Sequence, residues 1–72
     1  MSSEIMLKDN IKKYRLKFGW SQQDLAVKAG LSYNAVTKLE QGAAIYPRLD
    51  TLLKLADVFK ISIDDLVGKK IK

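Results

Sequence analysis

The chain has 72 residues, with 13 Lys+Arg against 8 Asp+Glu, a net charge of +5, and neither His nor Cys. That length predicts one small domain spanning 1–72. The missing residue types exclude disulfide frameworks, Cys/His zinc sites and Ser–His or Cys–His nucleophile pairs, and they remove the side chain most used for acid–base work near neutral pH.

Hydrophobic residues make up 47% and charged residues 29%, too apolar for a disordered chain. No apolar run approaches the roughly 20 residues that span a bilayer. The opening Met1-Ser-Ser-Glu-Ile-Met-Leu-Lys-Asp-Asn10 has no basic stretch followed by an apolar one, so no signal peptide is read there. The expectation is a cytoplasmic binding module with no metal, no cofactor, no membrane partner and no enzymatic activity.

Four glycines (19, 30, 42 and 68) and the single Pro47 cut the chain into five segments. None alternates with period two, so the fold class is all-α, a five-helix bundle. Helix one is predicted over about 5–18. Leu7, Ile11, Tyr14 and Phe18 share one face, while Lys12, Lys13 and Lys17 are solvated. Tyr14, Phe18 and Trp20 are read as core or near-core rather than as stacking platforms for single strands. Gly19 supplies a positive-φ stop.

Helix two is predicted over 22–29, with Ser21 as N-cap and Asp24 completing a weak capping box. Helix three is predicted over 33–41, capped by Ser32 and ended by Gly42. Only Gly30, Leu31 and Ser32 separate the two, a turn that joins helices at a steep angle. Residues 42–48 form a loop in which Pro47 biases Tyr46 toward extended backbone. Helix four is predicted over 49–60, with Leu49, Leu52, Leu55, Ala56 and Phe59 on one face. Ser62 opens a short helix over 63–67, and 68–72 is a basic tail expected to fray.

Helix three divides its labour. Val36 and Leu39 point one way, with Ala35 near them. Tyr33, Asn34, Thr37, Lys38 and Gln41 occupy an opposite arc of roughly 140°. A polar helix face is ordinarily a solvated face. This one, however, carries no acid, and helix two before it opens with Gln22 and Gln23 at a capped N-terminus suited to gripping phosphate. Asn can bond the N6/N7 edge of adenine, Lys can donate to guanine or phosphate, and a Thr methyl can meet a thymine methyl.

The chain from Ile11 to Val67 resembles the helix-turn-helix domain of the lambdoid phage repressors, Cro and their bacterial relatives, the XRE family. The resemblance is carried by Arg15-Leu-Lys-Phe-Gly19-Trp-Ser-Gln-Gln-Asp-Leu25-Ala26, Ala29-Gly30-Leu31-Ser32 and Val36-Thr-Lys-Leu39-Glu40-Gln-Gly42. Pro47, Leu52-Leu53-Lys-Leu55-Ala56 and Ile61-Ser-Ile-Asp-Asp-Leu66 complete it. It implies a transcriptional regulator of double-stranded DNA, acting as a homodimer on a palindromic operator. Base contacts would come from Tyr33, Asn34, Thr37 and Lys38. Phosphate contacts would come from Gln22, Gln23, Ser32, Gln41 and Arg48, with Gln22 also buttressing helix three. Arg15 and Glu40 match a structural ion pair of the family.

The sequence departs from the family in its loop, where only Arg48 is basic. A second reading is therefore a protein-interaction module, an antitoxin or adaptor. In it Ile45, Tyr46, Leu53, Val58 and Ile71 would meet a protein partner.

Overall fold

A computed structural model describes residues 7–43 and 47–68. Five helices follow one another: α1 (Leu7–Lys17), α2 (Gln22–Ala29), α3 (Tyr33–Gln41), α4 (Leu49–Phe59) and α5 (Ile63–Val67). Among the described residues there is no strand. The readings of Ile5, Ile45, Tyr46, Ile71 and the tail lysines fall outside the described residues.

Local chemistry starts and stops the helices. Ser21, Ser32 and Ser62 each accept the backbone N–H three residues on, at 3.0 Å. Asp24 returns the favour, accepting the Ser21 N–H at 3.0 Å to complete the capping box. The Ser21 N–H, and then its hydroxyl, hold the Asp24 carboxyl below the usual carboxylate range.

Helices α1 to α4 all end in one motif. A residue just past the helix turns left-handed, its N–H bonds three residues back, and the next N–H bonds five residues back. The left-handed residues are Gly19, Gly30, Gly42 and Lys60. Trp20, Leu31 and Ile61, the residues that follow three of these caps, pack against the core. Lys60, read from the sequence as the last helical residue, is instead this cap, at φ 60°. An L-residue there costs roughly 1–2 kcal/mol, which the anchored Ile61 offsets.

Each helix sends one side chain to the centre: Ile11, Leu25, Val36, Leu55 and Leu66 are fully buried. Burying each stabilises by roughly 1.5–3 kcal/mol. Two residues read as inward-facing are not. Phe18 lies past the end of α1, where the chain has left the helix axis. It is 45% exposed and stacks flat on Trp20, with ring centroids 4.7 Å apart. Leu49 is 63% exposed, because burial on α4 grows along the helix, through half-buried Leu52 to Leu55. Finally, the Asn10 amide donates to the carbonyls of Leu66 at 3.0 Å and Asp65 at 3.3 Å. It gives α5 partners for terminal oxygens that its own turns leave bare.

Candidate nucleic-acid interface

The site is built on α3, which packs against α2 and α1. Val36 and Leu39 are buried and seat the helix. Tyr33, Asn34, Lys38 and Gln41 are exposed, and Thr37 is half-buried. The Thr37 hydroxyl donates to the Asn34 carbonyl at 2.9 Å, so it has its methyl and oxygen lone pairs left for a partner. Ser32 accepts the Ala35 N–H and keeps its own hydroxyl proton to give.

Under this face lies an ionic anchor. Arg15 donates through Nε to Glu40 Oε2 at 2.6 Å and through Nη2 to Glu40 Oε1 at 3.0 Å. Its Nη1 donates to the Trp20 carbonyl at 2.8 Å. The two side chains are only 10% and 5% exposed. The bond to Glu40 raises the Arg15 pKa against the opposing effect of burial. Such a pair fixes geometry more surely than it adds net stability, but removing one partner strands a buried charge.

Gln22, half-buried at the first position of α2, donates through Nε2 to Glu40 Oε1 at 3.1 Å. The Tyr33 hydroxyl lies 3.5 Å from Gln22 Oε1. Helices α1, α2 and α3 are thus tied together beneath the exposed face. Gln23 is exposed beside Gln22 on the first turn of α2.

An open groove of about 330 Å³ runs beside α3, lined by Ser32, Asn34, Lys38, Pro47, Arg48 and Thr51 among others. Arg48 is exposed, and its Nε lies 3.3 Å from Asp50 Oδ1. Asp50 offsets part of its charge, although an exposed pair of this kind contributes little to stability.

Two residues joined the site without any mark in the sequence reading. Thr51 lines the groove because α4 starts beside α3. Lys8 lies over the end of α3: a Cβ on Gly42 would meet Lys8 Cδ at 3.1 Å and Nζ at 3.8 Å. A cation there complements the helix dipole.

The arrangement has the order and lengths of a known motif. A helix-turn-helix family profile matches residues 11–66. The chain belongs to the helix-turn-helix family. Its relatives include the transcriptional repressor RstR of the cryptic phage CTXphi in Vibrio cholerae, 32% identical over 88% of this chain and 55% of that protein. SinR of Bacillus licheniformis, an HTH-type transcriptional regulator, is 31% identical over 90% of this chain and 59% of its own length. The chain therefore spans little more than half of these relatives.

The solved N-terminal DNA-binding domain of SinR from Bacillus subtilis superposes with a TM-score of 0.84 at 30% identity, covering 93% of this chain and 97% of that one. SinR has also been solved in complex with DNA, with a TM-score of 0.80, 31% identity, and coverage of 85% and 97%. In this helix-turn-helix chain α2 and α3 are the two helices of the motif. Among the described residues no helix is long and apolar enough to cross a membrane.

Proposed function

We propose that this helix-turn-helix chain is a sequence-specific regulator of transcription that lays α3 in the major groove of double-stranded DNA. The observation that carries the reading is the outward face of α3. It is exposed, polar and free of acid, and the one acid bordering it, Glu40, is buried and held by Arg15. The membership of SinR and RstR in the same family supports it.

Tyr33, Asn34, Thr37 and Lys38 read base edges. Gln22, Gln23, Ser32, Gln41 and Arg48 hold phosphates, with α2 crossing the backbone. Two copies bind half-sites about one helical turn apart on a palindromic operator, in the cytoplasm. No enzymatic step is assigned.

Selection of bound sequences from random duplex DNA tests this directly, with a palindromic consensus as the expected result. Each phosphate neutralised by a cation steepens the fall of log K with log salt by about 0.9, so Arg48, the one cation among these phosphate holders, sets a slope near −0.9 per domain, roughly doubled for a dimer. Asn34→Ala is expected to weaken binding by roughly 1–3 kcal/mol and relax one base pair. Unchanged operator binding by that variant would falsify the base-contact assignment.

A second reading has one observation in its favour. Leu49 and Leu53, one turn apart on α4, are 63% and 51% exposed. On that reading they meet a protein partner. Pull-down of a protein, together with no affinity for random duplex at low salt, would select it over the first.

A further inference from the structure

Glu40 stands at the root of a hydrogen-bond chain that ends on the exposed face of α3. Both its oxygens accept from Arg15, and burial keeps water away from them. A carboxylate has no proton to give. The Gln22 amide, 3.1 Å away, must therefore turn its Nε2 toward Glu40. Its Oε1 then faces the other way, toward the Tyr33 hydroxyl at 3.5 Å. A carbonyl oxygen only accepts, so the Tyr33 proton is directed at Gln22. That distance is long for an O–H···O bond, so the contact orients the hydroxyl more than it holds the ring.

We propose that Glu40, acting through Gln22, sets the hydrogen-bond polarity of Tyr33, so that the tyrosine presents an acceptor and selects a base bearing an amino group. In the major groove those groups are adenine N6 and cytosine N4, while guanine O6 and thymine O4 only accept. The inference rests on the reading of α3 as a major-groove helix. Glu40 is then a positioning residue and Tyr33 a specificity-determining one. Tyr33 and Glu40 are seven residues apart, which puts them on one side of α3 within about 20°. Gln22 also keeps its second N–H for a phosphate oxygen, so one amide serves both duties.

The test is sequence selection from random duplex DNA with the wild-type chain, Tyr33→Phe and Glu40→Gln. Affinities are then measured on the selected site and on its single-base variants. The wild type is expected to favour adenine or cytosine over guanine or thymine about two- to tenfold at one strand position per half-site. Tyr33→Phe, an exposed change that spares the core, is expected to lose that preference and no other. Glu40→Gln lets the Gln22 amide turn over and frees the Tyr33 proton, so the preference at that position moves toward guanine or thymine. Circular dichroism melts establish that Glu40→Gln is folded, and if it is not, the Tyr33→Phe result decides alone.

A wild-type preference for guanine or thymine at the position that Tyr33→Phe relaxes overturns the proposal. So does a Tyr33→Phe profile unchanged at every position, or a folded Glu40→Gln variant with wild-type preference there. A wild-type chain that enriches no sequence is a separate failure, that of the DNA reading itself.

Discussion

Helices α3 and α4 both bury apolar side chains, but they differ in what else holds them. α3 is bounded by directional bonds, with a Ser32 cap at one end, a Gly42 cap at the other, and the Arg15–Glu40 pair and Gln22 beneath. α4 has Arg48 at its N-cap with no side-chain hydrogen bond, and a strained Lys60 at its C-cap. What fixes α4 is burial of Leu55, Ala56 and Phe59, with Tyr14, Phe18 and Trp20 gathered around the Phe59 ring. Burial is non-directional and large, while hydrogen bonds are directional and small in net effect. On the proposed function the division makes sense: a helix that presents side chains to DNA needs orientation, and a helix that completes the core needs adhesion.

The contrast breaks most visibly at Phe59. Phe59→Ala is expected to cost about 3–5 kcal/mol, read as the urea midpoint, and to melt all helices together. A loss under about 1 kcal/mol would show that α4 is held otherwise. Next comes Glu40→Ala, which leaves the buried Arg15 guanidinium without its partner and is expected to cost about 3 kcal/mol. The double variant Arg15→Met, Glu40→Leu sharpens the point. It is expected to regain most of that stability while losing sequence selection, because packing returns and orientation does not. A double variant that selects the wild-type site would refute that separation.

Lys60→Gly relieves the left-handed strain on α4 and is expected to raise stability by about 1 kcal/mol in thermal denaturation. No gain would mean that the lysine stem packs well enough to offset its backbone. The smallest effect is at α2. Asp24 has a lowered pKa in the folded state, so its contribution is full above the ordinary aspartate range, near 3.9, and is lost as pH falls through the lowered value. Asp24→Asn is expected to flatten that acid limb of the stability curve, followed by urea midpoints at stepped pH.

What the sequence disclosed follows the range of the interaction responsible. Serine caps and glycine stops act within six residues, so the edges of α2, α3 and α5 were legible. Lys60 defeated the same logic, because a left-handed lysine looks like any helix-ending lysine. Phe18 and Leu49 obeyed helical periodicity, but periodicity gives direction and not how far the neighbouring helices extend. The exposed face of α3 was legible because one helix carries it. The approach of Lys8 to Gly42 and the place of Thr51 join distant segments, and no local pattern encodes them, while the tie of Gln22 to α3 was reachable through family resemblance. The Arg15–Glu40 pair was reachable only through family resemblance.

The Asn10 bonds to Leu66 and Asp65 have an engineering consequence. They join the first helix to the last across more than fifty residues, so the two ends of the described fold lie side by side. A unit with adjacent ends can be spliced into a surface loop of a host protein, or recut elsewhere and rejoined by a short linker, with little strain. The fold is in that sense a cassette, able to be carried by whatever protein surrounds it.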